Sequence, residues 1–255
     1  MPLQKIDVVT TALRRAEILD LAFKSYFAGG ITNLPPVRLI INVDPIGDSS
    51  VEEIYKLAKK YSSDILIRAP EQGCFSDAVN WAWSQVKTEY FLHLEDDWLL
   101  RRPVDFLEWS SALENSGDLQ SVLIRKKRRQ IVDCGGSAGL HFSFRANLSR
   151  RDVIQRVGDI PQGFNPEKYA IQRLGSQSVS NDFGDEYQLI DMGRKWSKSR
   201  GWRKADKNNQ ITADSLSASS NWFGERSSNF LNTIDYLRSR LHWRIILNSY
   251  STHVT

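Results

Sequence analysis

Residues 90–98 read YFLHLEDDW, an apolar run that ends in three consecutive acids, Glu95, Asp96 and Asp97. Carboxylates held this close repel one another, and the cluster is costly unless a cation compensates it. Hard divalent ions take oxygen ligands, and magnesium or manganese commonly joins one or two carboxylates to substrate phosphates. Acids also suit the first turn of a helix, where the macrodipole favours them. Here, however, Trp98, Leu99 and Leu100 follow, then Arg101 and Arg102, and Pro103 opens the next helical stretch. The acids precede any helix start by several residues, which favours a cation site. Further groups able to act on a ligand are Asp44 in DPIGDSS and Arg68 in RAPEQG. Taken alone, each has a plainer reading, Asp44 as a turn residue and Arg68 as half of a surface ion pair.

These groups depend on the elements that carry them. Short β-rich runs at Ile6–Thr10, Val37–Val43, Asp64–Ile67 and Tyr90–Leu94 alternate with helical patterns at Ala16–Phe27, Val51–Tyr61 and Phe75–Val86. Strand and helix in alternation predict βαβ units and a parallel sheet with helices on both faces, whose strands read as continuous apolar runs. Ligands of open parallel sheets bind at the carboxyl ends of the strands. That edge would gather Thr10, Thr11 and Arg14 after the first strand, Asp44 after the second, Arg68 after the third and the three acids after the fourth.

The remainder is less regular. A helix is expected over Val104–Leu113, strands over Ser121–Ile124 and Leu140–Arg145, and a short helix over Asp152–Val157. Residues 160–182 read as loop, Glu186–Ser197 as helical and Ser227–Leu247 as a long final helix. No repeat or low-complexity linker divides the 255 residues, so the expectation is a single domain. Its ligand-binding half would span about residues 1–100 and its elaborated half about 101–255.

The net charge of +4 and pI near 9.0 suit an anionic ligand. Two cysteines, Cys74 and Cys134, form no CxxC pair, which argues against a zinc site and fits reduced intracellular thiols. The N-terminus has no signal-peptide pattern and no run reaches the ~18 apolar residues of a membrane span. A soluble, cytoplasmic protein is expected. No GK[ST] loop, HExxH or GxSxG occurs, and TTALRR stands where a nucleotidyltransferase would carry a glycine-rich loop. Basic residues cluster at Arg125–Arg129 and at Arg194–Lys207, where Lys195, Trp196, Arg200 and Trp202 could meet phosphate or acceptor. Cations interleaved with indoles suit a diphosphate, a saccharide or a nucleic-acid backbone with stacked bases, and also an ordinary solvated surface.

In order and spacing, IDVVTTALRRAEIL, INVDPIGDSS, APEQGCFSDAVNWAW and TEYFLHLEDDW resemble the N-terminal half of GT-A glycosyltransferases, most closely the family 2 type. The resemblance covers about residues 6–98. It implies a Rossmann-like, mostly parallel central sheet flanked by helices, with a C-terminal acceptor half, and a nucleotide-diphosphate sugar, in first place a UDP-sugar, as donor. On it Thr10, Thr11 and Arg14 lie near the nucleotide, and Asp44 accepts a hydrogen bond from the base. Arg68 and Asp77 lie near base or sugar, Asp96 meets ribose or sugar hydroxyls, and Asp97 meets a Mn²⁺ or Mg²⁺ ion, with Glu95 as a second candidate ligand. More loosely, GGSAGLHFSFRANLSRRDVI resembles the acceptor-side segment of the family and NDFGDEYQLIDMG the segment that carries its catalytic base. That register gives Glu186 or Asp185 as base, with Asp182 as a further candidate, in an inverting transfer. His242 or His253 would be an additional metal ligand, as in some GT-A enzymes. The acceptor is expected to be a glycan or small carbohydrate. The alternatives are a hydroxymethylated base in DNA and, in a different class, a non-catalytic sugar-nucleotide or nucleic-acid binding protein.

Overall fold

The computed structural model describes residues 5–100, 103–116, 121–123, 142–162, 164–175, 179–181, 189–193, 202–203 and 225–226. Its centre is a seven-stranded sheet. Strands β1 (Ile6–Arg14), β2 (Val37–Gly47), β3 (Asp64–Arg68) and β4 (Tyr90–Glu95) alternate with helices α1 (Ala16–Ala28), α2 (Val51–Ala58) and α3 (Phe75–Ser84). A tight turn at Asp96 and Asp97 leads into β5 (Trp98–Leu100), followed by α4 (Phe106–Asn115), β6 (Ser121–Leu123), β7 (Asn147–Arg150), α5 (Asp152–Val157), α6 (Pro166–Leu174), β8 (Val179–Asn181) and β9 (Leu189–Asp191). The two-residue strands β10 (Trp202–Arg203) and β11 (Glu225–Arg226) pair antiparallel.

The spatial order is β3-β2-β1-β4-β7-β6-β8. β1 is parallel to both β2 and β4, and β2 to β3, whereas β7 runs antiparallel to β4. Direction therefore reverses at the β4–β7 boundary. Strands β1, β2 and β4 are apolar because both faces are covered, whereas β3 is the partly exposed edge. Val8, Leu39, Ile41 and Leu92 pack with α1, α2 and α4, while Val9, Ile40 and Phe91 pack with α3, α5 and α6. Fully burying one such side chain contributes about 1.5–3 kcal/mol.

Several boundaries follow from local chemistry. Ser50 caps α2 in a capping box: its hydroxyl accepts from Glu53 N at 3.1 Å while the Glu53 carboxylate accepts from Ser50 N at 2.7 Å. Asp105 caps α4. The first turn of α1 has no side-chain cap of its own, and Ser49 supplies an acceptor for Ala16 N at 3.0 Å.

Three expectations need correction. Residues 142–145 form no strand; Phe142 and Phe144 are buried against Trp83, and pairing begins at Asn147. Within the span read as loop, α6 and β8 form, α6 being started by the Asn165 cap and Pro166 in its first turn. Leu189–Asp191, read as helical, is a strand because it pairs with β5. The expected final helix lies outside the described residues. No helix among the described residues is long and apolar enough to cross a membrane.

Candidate active site

The carboxyl edge of the parallel strands carries the acids. Strand alternation sends Phe91, His93 and Glu95 to one face of β4, and the turn then splits the three acids by role. Asp96 is buried and turns toward the β1–α1 junction. Its Oδ1 accepts from Arg15 Nη2 at 2.6 Å, and its Oδ2 accepts from Arg15 Nε at 2.9 Å and from Leu13 N at 3.0 Å. Its own N–H donates to Thr11 O at 3.2 Å. Asp96, expected at sugar or ribose hydroxyls, thus has both carboxylate oxygens engaged within the protein. Burial alone would lower the Arg15 pKa; the charges of Asp96 and Asp97 outweigh it and hold the guanidinium firmly protonated.

Asp97 and Glu95 flank Asp96 at the same edge, both partly buried. Arg15 Nη2 donates to Asp97 Oδ2 at 3.1 Å. Met192 N donates to Asp97 O at 2.8 Å, which ties the turn to the end of β9. A Cβ on Gly193 would stand 2.0 Å from Asp97 Oδ2, so only glycine allows this approach without a shift. Trp98 Nε1 donates to Glu95 Oε2 at 2.5 Å. Burial pushes the pKa of both acids up. Neighbouring charge adds to this, from Asp97 and Glu167 at Glu95 and from Asp96 and Asp191 at Asp97, while Arg15 opposes it at Asp97. Two neighbouring acids that ionise reluctantly would be relieved by a cation beyond the Arg15 guanidinium.

Asp44 lies at the end of β2 and is buried. Its Oδ1 accepts from Asn42 Nδ2 at 2.8 Å. Burial, outweighing Asn42 and Arg68, pushes its pKa up to about 6. Arg68 stands beside Trp81, 5.7 Å from the ring centroid, and donates to the backbone oxygen of Asp77 at 3.4 Å. Arg14 closes β1 with its Nε buried and without a partner. The strand β1 runs four residues further than its β-branched core indicates, so Thr10 sits mid-strand between Ile41 and Leu94, fully buried, rather than at the ligand edge. Thr11 is also buried.

His93 is a core residue on β4. Trp83 Nε1 donates to His93 Nδ1 at 3.0 Å, and burial pushes its pKa down to about 3, so the ring is neutral. Arg145 and Glu167 approach Glu95 from the β7 side, where the Ser143 hydroxyl donates to Glu167 Oε1.

Asp182, Asp185, Glu186, Lys195, Trp196, Arg200, His141, His242 and His253 lie outside the described residues, and of Trp202 only its place in β10 is described. Among the described residues no group of three or more His, Cys, Asp or Glu side chains is placed to hold a metal. The donor set that is present, two carboxylates with oxygen ligands only, fits Mg²⁺ or Mn²⁺ completed by ligand phosphates rather than by protein. Sequence reasoning missed Arg15. It chose Arg14 of the adjacent pair, although Arg15 is the one that binds the acids.

Fold and topology are those of the GT-A glycosyltransferases, nucleotide-sugar transferases with a mostly parallel central sheet flanked by helices. Among solved structures, the chain is similar to a mannosyltransferase of Pyrobaculum calidifontis in complex with GDP-mannose and Mn²⁺, at TM-score 0.60 and 11% identity, over 78% of this chain and 61% of that one. It is also similar to TarS of S. aureus in complex with UDP (TM-score 0.52, 14% identity, 72% and 59% of the two chains). A third likeness is to glucosyl-3-phosphoglycerate synthase of Mycobacterium tuberculosis in complex with Mn²⁺, UDP and phosphoglyceric acid (0.51, 13%, 70% and 68%). The chain spans about three fifths of the length of the first two of these proteins. No family model and no curated protein matches its sequence.

Proposed function

We propose that this protein transfers a sugar from a nucleotide-diphosphate donor, in first place a UDP-sugar, to a hydroxyl of a carbohydrate acceptor, with inversion and with help from a divalent cation. The observation that carries the reading is the pair of neighbouring acids Glu95 and Asp97 at the carboxyl edge of β4, beside an Asp96 whose two oxygens are taken by Arg15 and Leu13 N. Three structures of the same fold, each in complex with GDP-mannose or UDP and two of them with Mn²⁺, support it.

In this reading Asp44 accepts a hydrogen bond from the base, since its Oδ2 takes none of the hydrogen bonds described. Arg68, stacked beside Trp81, is near enough to Asp44 for its charge to act on that carboxylate. Asp97, with Glu95, would hold Mg²⁺ or Mn²⁺, which when bound supplies charge neutralisation for the departing diphosphate. Glu186, or Asp185, takes the proton of the acceptor hydroxyl as that oxygen attacks the anomeric carbon from the face opposite the leaving group. Lys195, Trp196, Arg200 and Trp202 follow the base in sequence and would border the diphosphate or the acceptor. A DNA acceptor has no support among the described residues or the matched structures.

The test is incubation with a panel of UDP- and GDP-sugars, with Mn²⁺ or with chelator, scoring nucleotide release. Release from one donor in the Mn²⁺ arm, abolished by Asp97→Ala, is the expected result. Glu186→Gln should retain donor binding and lose transfer. No release from any donor, with tight nucleotide binding, would replace the enzyme by a sugar-nucleotide binding protein.

A further inference from the structure

We infer that Arg15 and Asp96 form a positioning pair that fixes the β4–β5 turn so that Asp97 offers its Oδ1, and not its Oδ2, to a ligand in the cleft. This rests on the proposed function only for what that ligand is.

Arg15 and Asp96 are nearly sealed, with side chains 2% and 3% exposed. A buried pair of this kind is weak evidence for stability, because desolvating two charges offsets most of their attraction. Its geometry, however, is directed. The planar guanidinium spans both oxygens of Asp96 at 2.6 and 2.9 Å and reaches past them to Asp97 Oδ2 at 3.1 Å, a fork that a lysine cannot reproduce. Leu13 N adds a fixed donor to Asp96 from the β1 backbone, so the turn is tied to the neighbouring strand and cannot rotate alone.

A second contact acts on the same oxygen from another element. Gly193, just past β9, lies so close to Asp97 Oδ2 that a Cβ would stand 2.0 Å from it, and Met192 N holds the Asp97 carbonyl at 2.8 Å. Oδ2 is thereby enclosed between Arg15 and the Gly193 backbone, whereas Oδ1 takes none of the hydrogen bonds described. One carboxylate oxygen is assigned to the protein and the other to the cleft. The family resemblance put Asp96 on the ligand; in the structure both of its oxygens accept hydrogen bonds from Arg15 and Leu13 N.

Three variants test this. The double variant Arg15→Gln with Asp96→Asn removes both charges together, so that no uncompensated charge is left buried. Gly193→Ala presses on Oδ2 from the other side. Arg15→Lys keeps the charge and loses the fork. Mn²⁺ binding is titrated calorimetrically without donor, kcat and KM are measured for the donor, and each variant is crystallised. The double variant and Gly193→Ala should each show the Asp97 carboxylate rotated and Mn²⁺ bound about tenfold more weakly, with Arg15→Lys between them and the wild type. An unmoved Asp97, or Mn²⁺ affinity within about twofold of wild type in the double variant, overturns the proposal. If the double variant fails to fold, the other two decide by the same criteria. If the wild-type protein binds no Mn²⁺ even with nucleotide, the cation leaves the proposed function, and the position of Asp97 in the variant crystals decides the positioning role by itself.

Discussion

Burial of the Asp44 carboxylate costs the fold stability. Its folded pKa is about 6, raised by burial, while an unfolded aspartate ionises near 3.8. Between those values the folded protein holds a proton that the unfolded chain has released, so stability falls as pH rises through the interval and the loss persists above it. Asp44→Asn should therefore stabilise the protein by about 3 kcal/mol at pH 8 and by well under ~1 kcal/mol at pH 4, as measured by urea unfolding at the two pH values. On the proposed role the same variant should bind nucleotide about tenfold more weakly, which isothermal titration would show. A variant equally stable at both pH values would mean that the carboxylate is not strained. At this scale the site was half legible. The run EDD announced a charge problem, and alternation along the strand separates Glu95 from Asp96, but nothing in RR indicates which arginine turns inward. Arg15 is fixed by a partner 81 residues away, a relation that no local pattern records.

At the scale of elements, the end of the sheet opposite the acids is tied by another buried charge. Asp7, the second residue of β1, accepts from Arg38 Nε at 2.8 Å and Nη2 at 2.9 Å, and from Lys87 N and Thr88 N at 2.6 and 3.1 Å. It joins β1, β2 and the α3–β4 connection. Burial would raise the Asp7 pKa; the hydrogen bonds from Arg38 and the two backbone N–H groups outweigh it, and the net shift is downward. Such a group adds stability that is complete above the unfolded value of about 3.8 and is lost as pH falls below it. Asp7→Ala should cost about 3–5 kcal/mol at pH 7, since it strands Arg38, and less at pH 3, as read from denaturant midpoints. The elements around Asp7 were readable because their β-rich runs, Ile6–Thr10, Val37–Val43 and Tyr90–Leu94, are short and apolar. The missed helix α6 had its signals in Asn165 and Pro166, but its weak apolar pattern hid them. Strand β9 could not be read at all, because Leu189–Asp191 is extended only through its pairing with β5.

For the whole molecule, the topology was legible and the second half was not. Four parallel strands follow from continuous apolar runs that need cover on both faces. The reversal at β4–β7 follows from long-range pairing between residues 90–93 and 147–150, joined by a segment whose sequence does not indicate where it returns. That reversal leaves the carboxyl edge of β4 beside the start of β7, where Arg145 and Glu167 approach Glu95.

The tether from Leu13 N to Asp96 and the closure by Gly193 have a practical consequence for finding the donor. The residues that shape this cleft come from the first strand, the fourth strand and the ninth, and they meet only when the intervening chain is in place. A compound that fits the cleft therefore cannot recognise a partly unravelled protein. Its binding energy should add to the melting of the entire sheet rather than to one loop. At a concentration a hundredfold above its Kd, a true donor with Mn²⁺ should add about 2.7 kcal/mol, a rise in Tm of roughly 5–10 °C. A thermal melt across a library of nucleotide sugars then becomes an unbiased search for the physiological compound, with no acceptor needed in the tube. A library that leaves the melting curve unmoved would show that nucleotide sugars do not bind this cleft.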